Sequence, residues 1–179
     1  IAFVRAGGRE VGHLLPVPRT QEALDVLATH VTQLQAELTV PVALEVIAAL
    51  FDWPDDELAE PEFLAALVDR TGGLLLLDVA NVYANARNRH ESPTDLLDAL
   101  PLERIAYVHV AGGAEHDGLY HDTHTDAVPR PVLELLAELC ARQRPPAVML
   151  ERDGDYPPAA DLRDELDAIA KAAGYPAVT

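Results

Sequence analysis

Short apolar segments alternate with stretches of helical periodicity along the chain, and this alternation predicts consecutive βα units around a parallel sheet. The apolar segments are rich in Val, Leu and Ile with little polar alternation, which is typical of strands covered on both faces. Connections are short and no low-complexity segment interrupts them, so the pattern predicts a single domain over residues 1–179. The predicted strands are Ile1–Val4, Pro41–Ile47, Gly73–Val79, Ile105–Ala111 and Ala147–Leu150.

Helix boundary signals lie in the gaps between the predicted strands. Thr20 precedes an amphipathic stretch and predicts its N-cap, while Gly72 predicts the end of the next helix. Ser92, with an acidic residue three positions later, predicts a capping-box helix start. Two further helices are predicted to begin near Pro131 and after Pro158.

Four of the predicted strands lead into an ionisable residue, namely Glu45, Asp78, His109 and Glu151. The carboxyl ends of parallel strands meet at one edge of a sheet, where active sites of α/β proteins lie. One such residue alone is most simply a satisfied core group. Four at the same relative position predict a metal site, because burying an ionisable group is costly unless it is paired or bound to a metal.

Further candidate ligands stand outside the strands. The segment between His109 and the helix near Pro131 is predicted to be irregular, and it contains Asp122 and His124. Asn81 and Asp153 follow two of the strand-end residues closely. Since a lone catalytic zinc commonly takes three protein ligands, the many carboxylates and imidazoles favour more than one iron or manganese ion.

Composition narrows the class of partner. The formal net charge of −17 disfavours nucleic acid and anionic membranes as partners. No apolar run approaches the roughly 20 residues of a membrane-spanning helix, and a cytoplasmic protein is the simple interpretation. The single cysteine, Cys140, excludes an internal disulfide framework, and the single serine, Ser92, is assigned to a helix cap rather than to nucleophilic catalysis.

Several motifs together resemble one family. The chain is similar to the multinuclear non-haem iron oxidases of domain-of-unknown-function family 692, typified by the methanobactin-biosynthesis enzyme. The resemblance covers essentially the whole chain. It rests on Leu14–Pro18, Glu60–Leu64, Leu76–Tyr83, His109–Gly112, Asp122–His124 and Glu151–Asp153.

This resemblance implies a TIM-barrel-like (β/α) fold, with the chain covering roughly the last five strands. It implies two or three iron ions, for which manganese or zinc could substitute, and oxidation by dioxygen of cysteine residues in a ribosomally made peptide. A small partner protein would present the peptide. By motif position, the resemblance gives Asn81 and Asp153 catalytic roles, Asp153 as proton carrier, and makes these residues the metal ligands: Glu45, Asp78, His109, Asp122, His124 and Glu151.

The chain departs from the family pattern at Val46 and Ala80, where asparagine is usual, and at Gly113, where histidine is common. Family members also carry strands and histidine ligands before the equivalent of Ile1. Five strands cannot close an eight-stranded barrel, so we expect a preceding segment or a second copy of the chain to cover the open edge. We also expect the 179 residues alone to form an incomplete metal site.

Two other functions remain open from the sequence. The first is a metal-dependent sugar isomerase or hydrolase on a similar barrel, which would also place Glu, Asp and His at strand ends. The second is a non-catalytic barrel that binds a peptide or metal in its acidic cavity. Oxygen consumption by an iron-loaded sample separates the first alternative from the oxidase, and a neighbouring gene for a short cysteine-bearing peptide separates the second.

Overall fold

A computed structural model describes residues 5–10 and 14–178 of the chain. Its centre is a parallel sheet of four strands in the order β3-β4-β5-β8. Two short antiparallel hairpins, β1-β2 and β6-β7, lie outside this sheet. The strands are β1 (Arg5–Ala6), β2 (Arg9–Glu10), β3 (Ala43–Glu45), β4 (Leu74–Asp78), β5 (Ile105–Val110), β6 (Ala114–His116), β7 (Leu119–His121) and β8 (Val148–Leu150).

Six α-helices are found in the described ranges, and the sequence signals at three of their ends are confirmed. Thr20 and Ser92 accept N-cap hydrogen bonds, and Gly72 ends its helix with a left-handed φ of 68°. The helices are α1 (Gln21–Glu37), α2 (Glu60–Thr71), α3 (Val79–Arg89), α4 (Pro93–Ala99), α5 (Arg130–Arg142) and α6 (Ala159–Ala172), with a 3₁₀ turn at Leu102–Arg104.

The prediction of strands covered on both faces is confirmed for β4, where successive residues Leu75, Leu76 and Leu77 are all buried. Helices α3, α4 and α5 supply apolar residues to the same core. Burying apolar area contributes about 25 cal/mol of favourable transfer free energy per Å². This burial is therefore the main term that holds the helices on the sheet. The core therefore fixes the strand ends relative to one another.

The structure bears out a parallel α/β sheet, while the barrel itself stays a prediction. In the described part of the chain, β3 and β8 are the outer strands and each pairs with one neighbour. The predicted strand Ile1–Val4 lies outside the described residues. No helix in residues 5–10 and 14–178 is long and apolar enough to cross a membrane.

Two elements differ from the sequence predictions. Helix α3 follows β4 without a connection, because Asp78 ends the strand and also caps the helix by accepting hydrogen bonds from the Ala80 and Asn81 amides. The segment expected to be irregular begins with the β6-β7 hairpin, so His121 ends a strand rather than lying in a loop. Asp117 and Gly118 form its turn, with φ of 51° and 80°.

Candidate metal centre

The four strand-end residues lie at the same edge of the sheet. Asp78 pairs with His109 in the register of β4 and β5, and Glu45 ends β3. Glu151 follows β8 directly, and its backbone amide donates to the Val110 carbonyl at 3.0 Å. The ladder of the sheet therefore sets the spacing of these four side chains before any ligand is bound.

These residues form the first of three groups whose ligand atoms all lie within 4.8 Å of one another: Glu45, Asp78, His109 and Glu151. The Nδ1 atom of His109 lies 2.6 Å from a Glu151 carboxylate oxygen and 3.7 Å from one of Glu45. Asp78 and His109 are buried, whereas Glu45 and Glu151 face the cavity.

The loop after β7 supplies the second group, which consists of Asp78, Asp122 and His124. The Nε2 atom of His124 is 2.5 Å from an Asp122 oxygen and 3.7 Å from an Asp78 oxygen. The other imidazole nitrogen, Nδ1, lies 3.6 Å from Glu151. It also lies 3.6 Å from Asp153, which completes the third group with His124 and Glu151. Asp78, His124 and Glu151 each belong to two groups, so the groups are contiguous.

The hydrogen bonding of this cluster fits a cation. Buried atoms of five residues have no hydrogen-bond partner, although carboxylates and imidazoles lie within 2.5–2.6 Å of one another. A buried polar atom left unpaired costs about 1–3 kcal/mol, and native proteins rarely leave several together. Carboxylate oxygens and imidazole nitrogens suit iron, manganese or zinc. The atoms belong to Asp78, His109, Asp122, His124 and Glu151.

Electrostatics point the same way. Burial, and next the charge of Asp122, raises the pKa of Asp78 to about 7. Burial and the nearby Glu151 also raise the pKa of Glu45. The adjacent carboxylate of Asp122 raises the pKa of His124 to about 9. A bound divalent cation would be the largest local charge and would favour the ionised carboxylates that now repel one another.

Helix α3 supports the segment that follows Glu45. Asn81 donates its amide N–H to the Val46 carbonyl at 2.9 Å, while its buried carbonyl oxygen has no partner, and Asn81 lines the cavity. Asn85, one turn later, accepts from the Ala49 amide and donates to the Ile47 carbonyl. Sequence reasoning missed Asn85. Its signal is the i, i+4 spacing of two asparagines on an otherwise apolar helix face.

The cavity above the cluster has a volume of about 280 Å³. Some of the predicted site residues lie on its wall and the others lie beneath it. Asp78 and His109 lie beneath it, within 4.8 Å of the ligand atoms of Glu45 and Glu151. The side chain of Asp153 is 69% exposed. The structure thus brings all eight predicted site residues to one place, and their roles as ligands or catalytic groups stay predictions. The predicted residues on the cavity wall are Glu45, Asn81, Asp122, His124, Glu151 and Asp153, and His121, from the same His- and Asp-containing segment but outside the predicted ligand set, lies there too.

Carboxylates and imidazoles gathered at the carboxyl edge of a parallel sheet place the chain among α/β proteins with a candidate metal site. Residues 1–174 match the family described as RiPP precursor modification enzyme MbnB/TglH/ChrH, where RiPP denotes a ribosomally synthesised and post-translationally modified peptide. The chain belongs to this family. The resemblance predicted from the motifs is thereby confirmed.

Curated relatives carry the name UPF0276 protein. The protein of Streptomyces avermitilis is 56% identical in an alignment of 178 positions that covers 96% of this chain and 37% of that protein. The protein of Caulobacter vibrioides is 40% identical over 89% of this chain and 56% of its own length. That of Chromobacterium violaceum is 39% identical over 92% of this chain and 60% of its own length. The chain thus spans between about a third and three-fifths of these relatives.

Proposed function

We propose that this chain carries the metal centre of an iron-dependent oxidoreductase that modifies cysteine residues of a ribosomally synthesised peptide with dioxygen. The observation that carries the proposal is the convergence of six carboxylate and imidazole side chains, five of which have a buried atom without a hydrogen-bond partner. Membership of a family of peptide-modification enzymes supports a peptide as substrate and favours this function over a sugar isomerase.

The residues that would hold two or three iron ions are Glu45, Asp78, His109, Asp122, His124 and Glu151. Bound iron would supply the redox chemistry that these side chains lack, and manganese or zinc would fit the same donors. The shared residues Asp78, His124 and Glu151 favour ions held next to one another over separate sites.

Asp153 and Asn81 are proposed to act on the substrate. The exposed carboxylate of Asp153 lies beside His124 at the cavity wall, where it can accept a proton from a substrate thiol or amide. The side chain of Asn81 is held by its hydrogen bond to the Val46 carbonyl. Its unpaired amide oxygen therefore has a fixed orientation, in which it can accept a hydrogen bond from the substrate. Positioned hydrogen-bond groups of this kind orient a substrate without spending binding energy on reorganisation.

Partners are proposed from the family and from the open sheet. A small partner protein would bind the peptide and bring the peptide's cysteine to the cavity. The outer strands β3 and β8 leave backbone groups that a preceding segment or a second copy of the chain would pair, and Met149 on β8 is half-exposed. The net charge of −17 argues against nucleic acid and anionic membranes as partners. We propose a cytoplasmic location as well.

The test is dioxygen consumption by the purified protein loaded with Fe²⁺ in the absence of air. The substrate tested is any short cysteine-bearing peptide found to be encoded beside its gene, and mass spectrometry follows the mass of the peptide. We expect oxygen uptake coupled to a mass change, and neither with a Cys→Ser peptide or with zinc-loaded protein. Bound iron without either change would refute the oxidase function, and failure to bind iron would refute the metal centre.

A further inference from the structure

The two ligands outside the sheet lie on a loop whose backbone is constrained. His124 has a φ of 54°, in the left-handed region that residues with a Cβ seldom adopt. Such a conformation persists only where surrounding contacts hold it. The loop of residues 122–128, here called the ligand loop, therefore depends on contacts made elsewhere in the fold to place Asp122 and His124.

The backbone of His124 is held on both sides. Its amide donates to the Gly112 carbonyl at 3.0 Å, and its carbonyl accepts from the Asp153 amide at 2.8 Å. The second bond joins the ligand loop to the segment that carries Glu151 and Asp153. These two bonds fix the height of His124 above the sheet, but they leave the rest of the ligand loop unanchored.

An ion pair anchors that remaining part. Arg152 donates from Nη1 to Glu165 on α6 at 2.9 Å and from Nη2 to the Thr125 carbonyl at 2.8 Å. The other oxygen of Glu165 accepts from the Val128 amide at 2.7 Å. The side chains of Arg152 and Glu165 are only 9% and 11% exposed. The ion pair thus makes hydrogen bonds to the backbone of the ligand loop at two positions, Thr125 and Val128.

Arg152 stands between the ligand Glu151 and Asp153. In an extended segment successive side chains point to opposite sides, so Glu151 and Asp153 face the cavity while Arg152 faces the ligand loop. Both Glu151 and Asp153 line the cavity, and Arg152 makes its contacts with Thr125 and Glu165 instead. The planar guanidinium group can hold both acceptors at once, which a lysine ammonium does less specifically.

We propose that the Arg152–Glu165 ion pair positions the metal-binding residues Asp122 and His124 by holding the ligand loop against the segment of Glu151. The inference rests on the proposed metal centre and adds two positioning residues to it. Neither residue needs to touch the metal or the substrate. Hydrogen-bond partners that orient metal ligands typically contribute 10- to 100-fold in metal affinity.

The test is titration of the full chain with Co²⁺ alone, in the wild type and in Glu165→Gln. We expect the variant to bind Co²⁺ about 10- to 100-fold more weakly and to show an altered ligand-field absorption spectrum, because His124 would no longer be held in one orientation. Arg152→Lys keeps the positive charge but cannot grip both acceptors, so we expect a smaller change of the same kind. The Arg152→Lys variant also keeps the proposal testable if Glu165→Gln does not fold.

The matched control is Glu60→Gln, which breaks the ion pair of Arg89 and Glu60. That pair is 2.8 Å long, its side chains are 15% and 20% exposed, and it makes no hydrogen bond to the ligand loop. We expect the control to keep the wild-type Co²⁺ affinity and spectrum even if its melting temperature falls. If wild type binds Co²⁺ and both test variants bind it equally well with the same spectrum, the positioning role is wrong and the metal centre stands. If wild type binds no Co²⁺, both proposals fall.

Discussion

The candidate metal centre is built from two kinds of support. Glu45, Asp78 and His109 end or lie in strands, where ladder hydrogen bonds and the buried core fix their positions. Asp122 and His124 lie on the ligand loop, where a left-handed residue, two backbone bonds and a nearly buried ion pair do the same work. The two kinds of support should therefore fail in different ways.

The strand-borne residues are fixed by interactions that any stable version of this sheet requires. Losing one of them would remove a candidate ligand without moving its neighbours. The loop-borne residues depend on a few specific side chains, so a change several residues away can displace a ligand that is itself intact. Substitutions of the two kinds, ranked by their expected effect on metal affinity, test this contrast.

The largest effect is expected for Asp78→Asn, since Asp78 belongs to two ligand groups and is fully buried. We expect metal affinity to fall by more than about 100-fold, beyond the loss typical of an outer hydrogen-bond partner. Asparagine caps a helix as well as aspartate does, so α3 should persist. The measurement is Co²⁺ or Fe²⁺ titration, with Asp98→Asn on the surface of α4 as a control that keeps wild-type affinity.

The same variant makes a stability prediction. The pKa of Asp78 is raised from 3.8 to about 7 in the fold, so its ionisation destabilises the metal-free protein as the pH rises through this range. Asp78→Asn has no ionisable group at this position, so its stability does not fall in this way as the pH rises. Urea unfolding with a chelator present should show the variant at least as stable as wild type at pH 8, with a smaller advantage at pH 5. A clear destabilisation at pH 8 would contradict the assigned pKa.

A loop effect of intermediate size is expected for Gly112→Ala. A Cβ at Gly112 would overlap the carbonyl oxygens of Asp126 and Ala127, so the ligand loop must move away from the end of β5. Overpacking of this kind costs about 1–3 kcal/mol of unfolding free energy. We expect metal affinity to fall by about tenfold or more because His124 moves with the loop. Metal titration together with thermal unfolding measures both effects.

Gly118→Ala is the matched control. Gly118 has a φ of 80° and no atom near its Cβ position, so alanine there adds only backbone strain, about 1–2 kcal/mol. Because the hairpin turn and the ligand loop are at opposite ends of β7, the metal affinity of this variant should match wild type. Equal losses of affinity in the two variants would show that affinity follows overall stability rather than the position of the loop.

The same contrast explains how much the sequence could predict. Four of the five predicted strands are confirmed within one or two residues at each end, because buried parallel strands leave a continuous apolar signal. The strand ends then followed from topology alone, so Glu45, Asp78, His109 and Glu151 could be grouped without coordinates.

The elements around the ligand loop could not be predicted in the same way. Helix α3 was missed because Asp78 serves two elements at once, and the β6-β7 hairpin was missed although Asp117-Gly118 is a strong two-residue turn signal. The ion pair of Arg152 and Glu165 joins residues 13 positions apart, and Arg152 also donates to the Thr125 carbonyl. No periodicity encodes such a contact, and only the folded backbone brings its parts together.

A smaller loop effect is expected for Asn88→Ala. The side-chain amide of Asn88 accepts from the Tyr120 amide at 2.8 Å and donates to the Tyr120 carbonyl at 2.9 Å, which fixes β7 on α3. Losing both bonds should cost about 1–3 kcal/mol in stability. Metal affinity should fall only a little, because Tyr120 lies outside the ligand loop, two residues before Asp122. The ion pair of Arg152 and Glu165 still holds that loop. Asn88→Asp keeps the acceptor but sets a carboxylate oxygen against the Tyr120 carbonyl, so it should lose stability as well.

The smallest effect on metal binding, and the largest on turnover, is expected for Asp153→Asn. Its carboxylate is 69% exposed and 3.6 Å from His124, and an exposed charge pair contributes at most about 1 kcal/mol, so iron affinity should change less than about fivefold. The backbone bond from Asp153 to the His124 carbonyl survives the substitution, and the ligand loop should therefore stay in place.

A proton acceptor in the reaction typically contributes 10²- to 10⁴-fold, so peptide turnover by Asp153→Asn should fall at least about 100-fold. Iron content by mass spectrometry and oxygen uptake with the peptide, measured on the same preparation, separate the two effects. Asp155→Asn, two residues further along and outside the three ligand groups, is the control and should keep both. Near-normal turnover in Asp153→Asn would leave Asp153 as a turn residue beside Gly154, and a parallel loss of iron and turnover would make it a ligand. Only the loss of turnover with iron retained identifies it as the group that moves the proton.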